Sequence, residues 1–139
     1  TIRKSIEINA SAEEVWKVLT APEYTKQWAN EFGEGTYVET NWQIGTEVLW
    51  KDKGENIGAK GKVEQHEYPS TLKIAFFDDV NSSVSSPTGA YSENYMISKQ
   101  GDKVTLSIEA GLLPQKDLPT HLPLWDKAIV RMKELAEEK

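Results

Sequence analysis

The 139-residue sequence contains no cysteine. That excludes a disulfide framework, a thiolate metal site and a cysteine nucleophile. Its two histidines, His66 and His121, are too few and too far apart for spacing to argue for zinc. No apolar run approaches the roughly 18 residues that a bilayer span needs, so no membrane insertion is expected. The stretch TIRKSIEINASAEE lacks the apolar segment of a signal peptide and the Arg-rich character of a transit peptide, and a cytoplasmic location is expected. Basic clusters are also missing: 22 Asp and Glu outnumber 16 Lys and Arg, for a net charge of -6, and the bases are interspersed with acids. Nucleic-acid binding needs clustered cations to displace counterions, so no nucleic-acid partner is expected.

Other catalytic signatures are absent as well. The glycines of GEG and GAKGK match neither a phosphate loop nor a dinucleotide fingerprint, and no strand-to-helix context surrounds them. No cofactor is implied. Ser82, Ser83, Ser85 and Ser86 sit outside any nucleophile-elbow motif, which leaves a serine hydrolase without support.

What is present reads as one domain, whose length suits a single core that buries roughly two-thirds of the unfolded surface. Ile2, Ile6 and Ile8 alternate with Arg3, Ser5 and Glu7, which predicts a half-buried strand over 2–9. Ser11 and Glu14 then form a capping box that starts a helix at Ala12, with Val15, Trp16 and Leu19 on its inner face. Thr20 and Glu23 repeat the capping pattern, and Pro22 suits a first turn, so the helix is expected to bend and restart before ending near Trp28. Glycines in FGEG at 32–35 provide the exit.

Beyond them the period changes to two. Strands are expected at 36–40, 46–51, 58–66, 71–77, 91–98 and 103–110, separated by short turns that imply an antiparallel meander. The 78–90 segment, DDVNSSVSSPTGA, is long for a hairpin loop, and such loops are often functional or disordered. The C-terminal segment returns to helical spacing, with Trp125, Ala128, Ile129, Met132, Leu135 and Ala136 on one face. This helix is the obvious cover for the sheet.

The order strand, two short helices, six strands, long helix resembles the START and birch-pollen-allergen-like helix-grip superfamily (SRPBCC). The blocks IEINASAEEVWKVLTAPEYTKQW at 6–28, EFGEGTYVETNWQIGTEVLWK at 31–51, GKVEQ at 61–65 and LWDKAIVRMKELAE at 124–137 are similar to its heat-shock-protein-90 ATPase activator homologue branch, in bacterial single-domain form. The resemblance implies an α+β helix-grip fold: a curved seven-stranded antiparallel sheet around a long C-terminal helix. It also implies a cavity between the two, plugged at one end by the paired short helices.

Strand parity then nominates the cavity-facing residues: Val48 and Trp50, Leu72, Ile74 and Phe76, and Tyr91, Glu93, Tyr95 and Ile97. The helix adds Trp125, Ile129 and Met132, with Trp28 and Phe32 expected near the mouth. All but Leu72 and Ile97 make up the candidate ligand-binding set. Each aromatic has the plainer reading of ordinary core. Glu93 interrupts the apolar pattern; it is a ligand anchor or general base, or else it reaches water at an exposed strand start. His66, at a strand end, has a functional reading as an imidazole that titrates near neutral pH and polarises a ligand, and the plainer one, expected here, of facing solvent or bonding locally; His121 is expected to precede the last helix as a cap or surface residue. Three functions follow: binding of a small apolar or amphipathic ligand, acid–base catalysis on such a ligand, and, below both, chaperone-associated regulation. Either a monomer or a weak homodimer is compatible with an antiparallel edge strand.

Overall fold

The computed structural model describes residues 1–83 and 85–138. Strand β1 (Ile2–Ile8) is followed by helices α1 (Ala12–Thr20) and α2 (Pro22–Ala29) and a 3-10 turn at Asn30–Phe32. Six strands come next: β2 (Tyr37–Glu39), β3 (Glu47–Lys51), β4 (Ile57–Glu67), β5 (Thr71–Phe76), β6 (Ser92–Gln100) and β7 (Lys103–Gly111). Helix α3 (Leu118–Glu137) closes the fold.

The strands form one antiparallel sheet in the order β1-β7-β6-β5-β4-β3-β2. Five hairpins build the meander, and β1 returns to pair with β7, from Ile2 opposite Ala110 to Ile8 opposite Val104. Register shifts interrupt β4 on both sides, between Trp50 and Lys51 of β3 and between its own Val63 and Gln65. Such irregularities bend a strand and increase its twist, and here they curl the sheet toward α3. Close approach within the sheet dictates Gly61: a Cβ there would lie 2.6 Å from the Ala75 carbonyl oxygen.

Alternation puts Leu72, Ile74, Tyr95, Leu106 and Ile108 on the buried face. The 3.6-residue period puts Trp125, Ala128, Ile129, Met132, Leu135 and Ala136 of α3 against them. Each large apolar side chain buried this way contributes roughly 1.5–3 kcal/mol, and these two surfaces form most of one continuous core.

At the first helix the expected capping box is present. Ser11 Oγ accepts from the Glu14 N–H at 3.1 Å, and the Glu14 carboxylate accepts from the Ser11 N–H at 3.0 Å. The second one does not form. Thr20 is the last residue of α1 and donates its hydroxyl back to the Trp16 carbonyl, while Ala21 is the N-cap of α2 without a side-chain bond. Pro22 accounts for the difference, because a residue before proline is pushed out of the helical region, and Ala21 sits at φ -77°, ψ 128°.

Pro22 also leaves the Val18 carbonyl without its helical partner, since the N–H four residues on is missing. Trp28 supplies the replacement, donating Nε1–H to the Val18 carbonyl at 2.8 Å. Trp42 does the same for the Thr20 carbonyl at 2.8 Å. Two indoles thus complete the end of α1, so the α1–α2 pair is a packed corner of the core.

Candidate functional site

A pocket of about 460 Å³ opens to solvent between the sheet and the start of α3. Its walls are mainly aromatic: Phe32, Trp50, Phe76, Phe77, Tyr91 and Trp125. Phe32 packs edge-on against Trp125 at 4.8 Å and Trp50 at 5.7 Å, and Phe76 lies 5.3 Å from Tyr91. Ala59 and Leu113 add apolar lining, and Thr36, Lys51, Asp52, Asp78, Val80 and His121 also contribute.

Glu93 is the one carboxylate of the pocket that is buried, at 6% exposure. It sits in β6 between Ile74 of β5 and Ala110 of β7, with no polar group directly across either strand pairing. A strand places residues two apart on one face, which brings Tyr91 and Tyr95 to its sides. The Tyr91 hydroxyl donates to Glu93 Oε2 and the Tyr95 hydroxyl to Oε1, each at 2.8 Å. Burial pushes the Glu93 carboxyl up to about 7, with the two tyrosine hydrogen bonds partly opposing that rise. Both phenols are raised above their ordinary value, first by burial and then by the neighbouring carboxylate. They stay neutral donors, and Glu93 exchanges its proton near neutrality.

Two further polar atoms lie in the walls. Nε1 of Trp50 and Nε1 of Trp125 are buried and have no hydrogen-bond acceptor among the described residues. A buried unpaired donor costs about 1–3 kcal/mol, a penalty that Trp28 avoids through Val18.

Of the twelve nominated residues, Phe32, Trp50, Phe76, Tyr91, Glu93 and Trp125 line this pocket. Tyr95 stands behind Glu93 as its second donor. Trp28, Val48, Ile74, Ile129 and Met132 are packed in the core instead. Trp28 is 1% exposed, with its ring against Trp50 and Tyr95 rather than near the mouth. The paired short helices contribute no lining residue; Phe32, in the 3-10 turn after them, does.

The water-reaching alternative for Glu93 does not hold, because the residue is buried and both carboxylate oxygens accept from tyrosine hydroxyls. His66 bonds locally: its Nδ1 lies 2.5 Å from the Trp42 carbonyl oxygen, and its ring packs on Trp16 at 5.1 Å. His121 lies inside α3 rather than before it and lines the pocket. The signal was its position four residues before Trp125, which puts both on one helix face once the helix starts at Leu118. The 78–90 segment brings Asp78 and Val80 to the pocket, and the Gly89 N–H turns it back onto the Phe76 carbonyl at 2.8 Å. Neither pattern nor parity pointed to Leu113, Asp78 or Val80, which come from irregular segments.

Among the described residues no group of His, Asp or Glu is arranged to hold a metal ion. No described helix is long and apolar enough to cross a membrane, which leaves β-barrels unaddressed.

Solved structures match the fold over nearly the whole chain. CalU16 from Micromonospora echinospora superposes with a TM-score of 0.70 at 17% identity, covering 98% of this chain and 75% of that one. The Aha1 dimer from Colwellia psychrerythraea gives 0.74 at 16%, covering 99% and 96%. A protein from Mesorhizobium loti gives 0.75 at 12%, covering 99% and 98%. At such identities the likeness is one of fold. No curated protein matches the sequence. The profile of the activator of Hsp90 ATPase homolog 1-like proteins matches residues 9–137. With the helix-grip architecture in place around an aromatic pocket, the chain belongs to the family of activator of Hsp90 ATPase homolog 1-like proteins.

Proposed function

We propose that this protein binds a small amphipathic molecule in the pocket between the sheet and α3. The observation that carries the reading is the pairing of aromatic walls with one buried, tyrosine-held carboxylate in a space of about 460 Å³. Ligand pockets are typically about 300–1,000 Å³, mostly apolar, with a few placed polar groups that set orientation. Desolvation of the rings supplies affinity, and Glu93 supplies orientation.

Native mass spectrometry of freshly purified protein, with an organic extract of the denatured sample, tests this. Excess mass recovered as a discrete amphipathic compound supports the reading, and substitution of Ala59 by Trp, which fills the pocket from β4, should remove that mass. A compound retained unchanged by Ala59→Trp would refute it.

A second reading is acid–base chemistry on the bound molecule, favoured by a carboxyl that titrates at about 7 within the pocket. Glu93→Gln should then abolish turnover at saturating ligand.

A further inference from the structure

Resting on the ligand-binding reading above, we infer that the pocket selects a molecule carrying a protonated amine on an apolar body, with the Glu93 carboxylate as its counter-ion. Among the described residues, Glu93 has no cationic partner: the ion pairs all lie elsewhere, and both of its hydrogen bonds come from neutral phenols. Each carboxylate oxygen accepts one bond where it can accept two. One acceptor position per oxygen is left for a donor that enters the pocket.

A buried carboxylate without a cation is unfavourable when ionised, and an ammonium group is the ligand chemistry that reverses the penalty. An alcohol could donate one hydrogen bond but would leave the charge uncompensated. The walls add to the preference, because Trp50, Trp125 and Tyr91 are among the lining residues, and aromatic rings attract a nearby cation through their quadrupoles. Among the described residues that line the pocket, Asp52 and Asp78 are negative, and the single lysine, Lys51, is paired with Glu39 at 2.5 Å. A carboxylate ligand therefore meets like charge.

The groups around Glu93 bear on pH dependence. Its own strand supplies Tyr91 and Tyr95; β5 and β7 supply apolar Ile74 and Ala110; β3 supplies Trp50 and Lys51; α3 supplies Trp125 and His121. Amine affinity should rise as Glu93 loses its proton through neutrality.

Calorimetric titration of the full chain at about pH 8 with naphthylethylamine, naphthylethanol and naphthylacetic acid tests this. The amine should bind about tenfold or more tighter than the alcohol, a single charge-assisted contact being sufficient for that ratio, and the acid weakest. In Glu93→Gln the amine-to-alcohol ratio should fall to about one, and in the unaltered protein the amine affinity alone should weaken at about pH 5.5. Equal binding of amine and alcohol by the unaltered protein, or a ratio that survives Glu93→Gln, overturns the amine inference while leaving ligand binding in place. If none of the three binds, the ligand-binding reading falls with it.

Discussion

Replacing Glu93 by Gln should make the protein more stable at alkaline pH and remove a pH dependence of known sign. The carboxyl rises from an ordinary 4.5 to about 7 in the folded chain, mainly through burial. An acid that holds its proton more tightly when folded stabilises the native state below its unfolded pKa, and that contribution is lost as pH rises through the folded value. At 1.36 kcal/mol for each tenfold change, the full loss is about 3 kcal/mol, of which roughly 2 kcal/mol falls between pH 5.5 and 8.5. For a domain of this size that corresponds to a fall of about 7 °C in Tm. Glutamine keeps the shape and one carbonyl acceptor for the tyrosines but carries no charge to desolvate. Urea unfolding of both proteins across this range should show their stability difference swinging toward the variant by about 2 kcal/mol as pH rises. Parallel pH profiles would refute the reasoning, since they would mean that the carboxylate is solvated or paired in the folded state.

Other expectations follow from single contacts. Trp28 and Trp125 are both 1% exposed, but only Trp28 spends its indole N–H on a carbonyl; Trp28→Phe should therefore cost about 1–2 kcal/mol more than Trp125→Phe in chemical denaturation. Gly61→Ala forces a Cβ against the Ala75 carbonyl and should destabilise by about 1–3 kcal/mol, with exchange protection lost first along the β4–β5 ladder. Met132→Ala opens a void at a fully buried site of α3 and should cost about 2–5 kcal/mol, read as a lower urea midpoint. Ser11→Ala removes the Oγ that accepts from the Glu14 N–H, while the backbone N–H at position 11 can still donate to the Glu14 carboxylate, and should lower stability by about 1 kcal/mol.

Strand alternation, the Ser11–Glu14 box and the apolar face of α3 are local, near-neighbour properties. Each is decided by residues two to four apart, so order, number and kind of element were legible in the chain by itself. The same locality explains the failure at Thr20, where a valid capping pattern lost to the backbone restriction that Pro22 places on Ala21. Glu93 was legible as an exception to parity, since a carboxylate among Tyr91, Tyr95 and Ile97 breaks the pattern. The same alternation set Tyr91 and Tyr95 beside it, but its burial was not legible, because it depends on pocket walls distant in sequence, among them Trp50 of β3 and Trp125 of α3. Tertiary structure also divided the aromatics. Trp28 became core because Pro22 left the Val18 carbonyl for its N–H to fill, while Trp50 and Trp125 became pocket walls with their N–H groups unpaired. His121, Leu113 and Asp78 joined the pocket from three separate segments. Residue type and spacing decide which side a group faces, but what it meets there is set by elements distant in sequence.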